Sequence, residues 1–370
     1  MDSPAKTWWR ETPVAANDGV GASEVYAALD LGTNNCRLLV ARPTGDGFRV
    51  IDAFSRIVRL GEGMSATGRM SEAAMARAIR ALKICAGKMR RRGVTRARAV
   101  ATEACRRASN GDAFLARVRR TTGLDLEVIS NDEEASLALF GCAPLLDDSV
   151  AHALVFDIGG GSTEIGWMTA PGGSRPEPGV APRLRGWHSI PIGVVTLAER
   201  HGGRRITAQC YETMIAEVDA ALAPFETRYR LGPLAAAGGI QMIGTSGTVT
   251  TLAGVHKRLP RYDRTRVDGT YLDFDTVRRV SRRIAGMSYE ARVAQPCIGR
   301  ERADLVVAGC AILEAVCATW PVGRLRVADR GLREGMLFLM MRGRQARARR
   351  GDGRPDLAEA AGLRQEARPA

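Results

Sequence analysis

The stretch LDLGT at residues 29–33 returns far along the chain as FDIGG at residues 156–160. In each, an apolar strand-like run ends in an aspartate, and a glycine-containing turn and a second apolar run follow. One copy would be a strand with a capped turn. Two copies, each opening a series of alternating strands and helices, point to a duplicated α/β architecture. Two equivalent hairpin turns could then face each other across a cleft. The run Gly159-Gly160-Gly161 in the second copy needs a physical reason, because glycine weakens a strand. A tight turn is one reason; close approach of a phosphate to the backbone is another.

The first series contains strands in EVYAALDLG, CRLLVARP and RVIDAFSRIVRL, then a helix capped by Ser71 and stopped by Gly93. A strand in ARAVATEA runs into a helix through Ala108, LDLEVIS (124–130) reads as a strand, and Asn131 to Phe140 as a helix. The second series begins with ALVFDIGGG and TEIGWMTA. A long amphipathic helix follows in ITAQCYETMIAEVDAALAPFETRYR, and MIGTSGTVTTLAGVHKRL reads as strand, turn and helix. ADLVVAGCAILEAVCATW is a buried helix, RLRVAD a strand and LREGMLFLMMRGR a final helix. The Pro/Gly/Arg stretch 171–186 reads as a solvated loop. These boundaries divide the chain into a disordered polar tail (1–23), domains at 24–144 and 145–343, and a disordered basic tail (344–370).

Lysine and arginine outnumber acids 54 to 40, a net charge of +14 that suits a polyanionic partner or reflects the arginine-rich coding of a high-GC genome. Aromatic residues, at 5%, are too sparse for base-stacking platforms, so no nucleic-acid partner is expected. The eight cysteines form no C-x-x-C pair and the four histidines no ligand spacing, as fits a chain of reduced thiols. Without an apolar signal-peptide core or a bilayer-length segment, a cytoplasmic protein with no membrane partner is expected.

Six segments together resemble the exopolyphosphatase / guanosine pentaphosphate phosphatase (Ppx/GppA) family: LDLGTNNCRLLV (29–40), ATEACRRA (101–108), VISNDEEASL (128–137), FDIGGGSTEIG (156–166), IGTSGTVTTLAG (243–254) and ADRGLREG (328–335). They occur in family order over nearly the whole chain. The family lies in the superfamily of actin, sugar and acetate kinases and chaperone ATPases; the segment with Glu133-Glu134-Ala135 points to its phosphatases. The resemblance implies two duplicated actin-like (ribonuclease H-like) α/β domains with a central cleft. It also implies hydrolysis of the terminal phosphate of polyphosphate, or the 5′-terminal phosphate of guanosine pentaphosphate, with Mg2+. Thr33, Asn35 and Asn131 stand where the family often has Ser, Ser and Gly. The chain resembles the two-domain form without the added helical domain, and a homodimer is left open.

Phosphoryl transfer to water is a problem of positioning and charge stabilisation. Backbone N–H groups of Gly159, Gly160 and Gly161, with the hydroxyls of Ser162 and Thr163, suit phosphate oxygens. Thr33, Asn34 and Asn35 would act from the first turn. Asp157, Glu164 and Asp30 could hold Mg2+, although either aspartate could instead cap its own turn. Ser130 and Glu133 fit a capping box. Glu134, rotated by about 100° on the helix, is free to face the cleft and matches the family's catalytic glutamate. There it would orient water, with the helix dipole favouring its ionised form. Arg106 matches the arginine of the family's T-x-A-x-R-x-A motif and suits a transferring phosphoryl group. Arg37 and Arg302 match family arginines; surface ion pairs are the alternative for all three. Ser246 and Gly247 form an anion site or a plain helix cap. The basic run at 88–98 either guides a polyanion or is a solvated helix end. A kinase of the same superfamily and a non-enzymatic polyanion-binding protein are the competing classes.

Overall fold

The computed structural model describes residues 24–44, 47–147, 149–169 and 183–350. The proposed N-terminal tail and residues 351–370 lie outside these ranges. The strands are β1 (Tyr26–Leu31), β2 (Asn35–Thr44), β3 (Gly47–Ile57), β4 (Arg96–Ala101), β5 (Glu127–Val128) and β6 (His152–Ile158). They continue as β7 (Thr163–Thr169), β8 (Arg183–Ile190), β9 (Ile240–Thr245), β10 (Tyr271–Asp273) and β11 (Arg324–Ala328). One sheet has the order β3-β2-β1-β4-β5 and the other β10-β11-β9-β6-β7-β8.

β1 and β6 each pair antiparallel with the following strand and parallel with a crossover strand. The first sheet therefore maps onto β8-β7-β6-β9-β11, with β10 as an added edge. This is the duplicated α/β arrangement expected from the repeated motif, and the actin-like, ribonuclease H-like one implied by the family resemblance. The repeat holds to the residue. Asp30 lies opposite Arg37, and Asp157 opposite Glu164. Gly32 N–H donates to the Asn35 carbonyl at 2.9 Å, and Gly159 N–H to the Ser162 carbonyl at 2.9 Å.

The helix Glu72–Arg91 begins where Ser71 Oγ accepts from Ala74 N–H at 3.2 Å. It buries Met75, Ile79, Leu82 and Met89, an apolar stripe at helical spacing, against the first sheet. In the second lobe, Val306–Thr319 is buried along nearly its whole length, between the helices Ala208–Tyr229 and Phe274–Ala285. Trp320, fully buried beyond it, donates from Nε1 to Glu226 at 2.7 Å.

Several expectations change. β8 starts at Arg183, inside the stretch read as a loop, because main-chain pairing to β7 overrides its arginine-rich composition. β5 is only Glu127–Val128, shorter than 124–130. The basic run 88–98 is largely neutralised: Lys88 and Arg92 pair with Asp52 at 2.7 and 2.9 Å, and Arg98 pairs with Glu127 and Glu133 at 2.9 and 2.6 Å. All eight cysteines are free. No helix among the described residues is long and apolar enough to cross a membrane.

The last helix, Leu332–Arg350, runs past residue 343, where a disordered tail was expected to follow. It also leaves β11 to pack on the other lobe, placing Met336, Leu337 and Met341 against Tyr26, Ala28, Leu39 and Val100. The chain thus passes between lobes twice, through Asn131–Cys142 and through Leu332–Arg350, and these helices pack against each other. Their contact depends on glycine. A Cβ on Gly335 would collide with the Leu137 carbonyl, and one on Gly141 with the Gly331 carbonyl.

Candidate active site

The two Asp-Gly turns meet. A Cβ on Gly160 would stand 3.0 Å from Thr33 Cβ and 3.1 Å from Asn34 N, and one on Gly161 2.9 Å from Glu103 Cγ. The floor of the cleft is therefore closed, where the sequence suggested a gap between facing turns. Carbonyls of Gly159 and Gly160 accept from Val194 and Val195 N–H at 3.0 and 2.8 Å, at the start of the helix Val194–His201. Because a trans peptide's N–H points opposite its C=O, the N–H groups of Gly160 and Gly161 are directed away from that helix. At the cleft edge, Arg59 grips Asp304 at 2.7 and 2.9 Å, and Glu199 accepts from Gly63 N–H and Ser65 Oγ at 2.7 and 2.6 Å.

Four carboxylates share the enclosed space: Asp30, Asp157, Glu164 and Glu134. Asp157 is pushed up to about 6, chiefly by burial and partly by Asp30, while Arg37 and Arg333 oppose the shift. Burial also raises Asp30, with Arg37 and Arg333 again opposing. Glu164 is pushed up to about 7 by burial and by Asp157, although the Ser162 and Ser189 hydroxyls donate to it. Burial and then Glu164 push Glu134 well above the ordinary carboxylate range; Arg106 pulls it back, and Asp30 and Asp157 add to the rise. The helix dipole was expected to keep Glu134 ionised. Burial among other acids outweighs it.

Glu134 lies in the first turn of Asn131–Cys142. Its Oε2 accepts from both terminal nitrogens of Arg106, at 3.4 and 3.3 Å. Arg106 is fixed in turn by donation to Glu103 at 2.7 Å and to the Ile129 carbonyl at 2.5 Å. Ser130 caps this helix by accepting from Glu133 N–H at 3.2 Å, but the Glu133 side chain turns to Arg98, leaving half of the expected capping box.

Thr33 and Asn34 are buried in the first turn, and Asn34 Oδ1 has no hydrogen-bond partner. The Asn34 carbonyl accepts from Val58 and Arg59 N–H, which anchors the turn to the loop after β3. The Asn35 carbonyl closes the same turn by accepting from Gly32 N–H. Thr163, expected to face phosphate, is fully buried, and its hydroxyl donates to the Ile192 carbonyl at 2.7 Å. Ser246 caps its helix, its hydroxyl accepting from Thr248 and Val249 N–H at 3.1 and 3.3 Å. Its φ of 132° is nevertheless rare for a side-chain-bearing residue, the kind of strain that collects at functional sites. Gly247 faces Arg37, whose Nη2 would be 3.9 Å from an added Cβ. Arg302 donates to Thr251 at 3.0 Å, and burial followed by the like charge of Arg37 lowers its pKa.

Among the described residues, no group of three or more His, Cys, Asp or Glu side chains is arranged to cage a metal ion. Magnesium does not require one, since it usually keeps waters and takes one or two carboxylates plus substrate oxygens. Asp30, Asp157, Glu164 and Glu134, which destabilise one another as ionised groups, offer the oxygen donors that fit a hard cation.

The model of the Ppx/GppA phosphatase family matches residues 39–343. The chain belongs to the Ppx/GppA phosphatase family. It is 31% identical over 305 residues to a Mycobacterium tuberculosis protein called exopolyphosphatase 2, covering 78% of this chain and 88% of that one. Among solved structures, an exopolyphosphatase-like protein superposes with a TM-score of 0.76 at 30% identity, over 86% of this chain and 97% of the other. An exopolyphosphatase from Cytophaga hutchinsonii gives a TM-score of 0.75 at 26% identity, over 86% and 98%.

In this Ppx/GppA chain, Glu103 and Arg333 join the site without having been singled out in the sequence. Glu103 is buried and orients Arg106. Arg333 lies in the first turn of the returning helix and bears on both Asp30 and Asp157. Its neighbours are engaged elsewhere: Arg330 with Asp268 at 2.8 Å, and Glu334 with Arg264 at 2.9 Å. The available signal was ADRGLREG, which carried the family resemblance but no assigned role. Arg37, Arg302 and Arg333 form no ion pair among the described residues.

Proposed function

We propose that this chain is a magnesium-dependent exopolyphosphatase that removes the terminal phosphate of inorganic polyphosphate by in-line attack of water. The observation that carries the reading is Glu134: a carboxylate at a helix start, enclosed with Asp30, Asp157 and Glu164 and touched by Arg106. Similarity to a protein called exopolyphosphatase 2 and the net charge of +14 favour polyphosphate over guanosine pentaphosphate.

Glu134 orients a water and accepts its proton as the phosphorus–oxygen bond forms; its elevated proton affinity makes it a stronger base once ionised. Arg106 favours that ionised state and offers planar donors to the phosphoryl oxygens. Arg37, Arg302 and Arg333 compensate charge farther along the anion, and the Gly160 and Gly161 amides supply backbone donors. Asp157 and Glu164, with Asp30 beside them, would hold Mg2+, which supplies Lewis-acid neutralisation of the phosphate oxygens.

Phosphate release should be measured side by side from polyphosphate and guanosine pentaphosphate. Release from polyphosphate is expected to be faster, to stop on chelation and to return with magnesium. Release from guanosine pentaphosphate alone would replace the substrate assignment, and release from neither would remove the activity. Arg106→Ala is expected to lower kcat/KM on the order of 10²-fold, as loss of one charged donor commonly does. Unchanged rates at both limiting and saturating substrate would dismiss its role.

A further inference from the structure

The two Asp-Gly turns belong to different lobes, so a phosphate chain is gripped by both only if their separation is fixed. Two contacts at the cleft edge start from these turns and cross in opposite directions. In the first lobe, the Thr33 carbonyl accepts from Gly61 N–H at 3.0 Å, and the Asn34 carbonyl from Val58 and Arg59 N–H at 2.8 and 3.0 Å. The Arg59 guanidinium then reaches the second lobe. Its Nη1 and Nη2 donate to the two Asp304 oxygens at 2.7 and 2.9 Å, and Nη2 also to the Glu301 carbonyl at 3.0 Å. The segment it grips carries Arg302, which donates to Thr251. The second crossing begins where the helix Val194–His201 is seated on the Gly159 and Gly160 carbonyls. Its Glu199 reaches back to Gly63 N–H and Ser65 Oγ. Both crossings meet in the loop 58–65.

The ordinary reading of Arg59–Asp304 is a surface ion pair, worth little to stability. Its geometry says more. The two side chains are only 26% and 21% exposed, and a guanidinium fork on a carboxylate fixes orientation as well as distance. Glu62, the acid nearer in sequence, stands 4.0 Å from Arg59 and is engaged by Arg77 at 2.6 Å. Arg59 is held at a φ of 48°, a left-handed conformation that a side chain disfavours. Such outliers persist where the surroundings over-determine them. The Asp304 end is seated as well, since a Cβ on Gly203 would collide with the Asp304 carbonyl.

We infer that Arg59 and Glu199 are positioning residues that brace the two phosphate-binding turns into one grip. Arg59 ties the turn of Thr33 and Asn34 to the segment of Arg302. Glu199 ties the turn of Gly160 and Gly161 to the loop after β3. They act through the turns they hold rather than on the phosphates. Their effect on rate rests on the reaction proposed for Glu134; the bracing itself does not.

The test is Arg59→Gly, which suits the left-handed backbone and removes only the side chain. Its melt should stay within about 2 °C of the parent, while kcat for phosphate release falls roughly tenfold or more through misplaced reacting groups. Arg59→Lys keeps the charge but not the fork, and should recover part of that loss. Amide hydrogen exchange read by mass spectrometry needs no turnover and reports the bracing directly. In Arg59→Gly, residues 301–306 across the cleft should exchange faster, as should 193–199 through the shared loop; the helix Glu72–Arg91 should not. If that variant does not fold, Asp304→Asn replaces it, with the same shape and one accepting oxygen instead of two. Faster exchange confined to 58–63, a rate within about twofold of the parent, or full recovery with lysine each overturns the inference. A parent chain that releases no phosphate would instead remove the Glu134 reading, and the exchange comparison would still decide the bracing.

Discussion

Replacing Glu134 by glutamine is expected to reduce phosphate release from polyphosphate by roughly 10²–10⁴-fold, the range lost with a general base. Glutamine has the same shape, and its amide oxygen can still accept from Arg106, which now donates at 3.3 and 3.4 Å. It cannot take a proton from water. The fold should be unharmed. Burial and neighbouring acids raise Glu134 well above its ordinary pKa, so the folded protein disfavours its ionised form. A neutral isostere relieves that penalty, and Tm should stay level or rise. The decisive comparison is turnover against substrate binding in a variant with a normal melt. Near-normal turnover would exclude Glu134 as the base.

Gly335→Ala is expected to produce the largest loss of stability for a single methyl group. The added Cβ would meet the Leu137 carbonyl oxygen and stand 2.8 Å from its carbon and 3.1 Å from its Cα. These are main-chain atoms, so no side-chain rotation can make room, and the crossing helices must separate. Overpacking of this kind costs about 1–3 kcal/mol or more, corresponding to a Tm drop of about 1–4 °C in a chain of this length. Activity should fall as well, because Leu137 is on the helix that carries Glu134, and small displacements of reacting groups are costly. Gly87→Ala is the control. A Cβ there meets only Arg91 Nη1, at 3.3 Å, the end of a flexible side chain. It should gain up to about 1 kcal/mol from helix propensity. Thermal melts of both variants should move in opposite directions; equal melts would show that the crossing tolerates separation.

The duplicated sheets were legible because their determinants are local. A short continuous apolar run, an aspartate and a glycine turn identify β1 and β6, and the shared spacing places Arg37 and Glu164 in corresponding registers. Glu134 could be separated from Glu133 by helix geometry, the Ser130 cap and the family resemblance together. Features requiring distant contacts could not. LREGMLFLMM identifies an apolar helix but not the sheet it covers, so both its return to the first lobe and the placement of Arg333 were missed. The closed floor of the cleft was hidden for the same reason: Gly160 and Thr33 meet only after both lobes are assembled. β8 was misread because its charged side chains conceal its main-chain pairing with β7. Thr163 looked like a donor in an open turn, but Ile192, far along the chain, occupies its hydroxyl.

The return of Leu332–Arg350 also has a bearing on biosynthesis. Tyr26, Ala28, Leu39 and Val100 leave the ribosome before all of the second lobe, whereas their cover, Met336, Leu337 and Met341, leaves after it. The lobe that is begun first is therefore completed last. Until then its apolar sheet face stays bare and open to a chaperone.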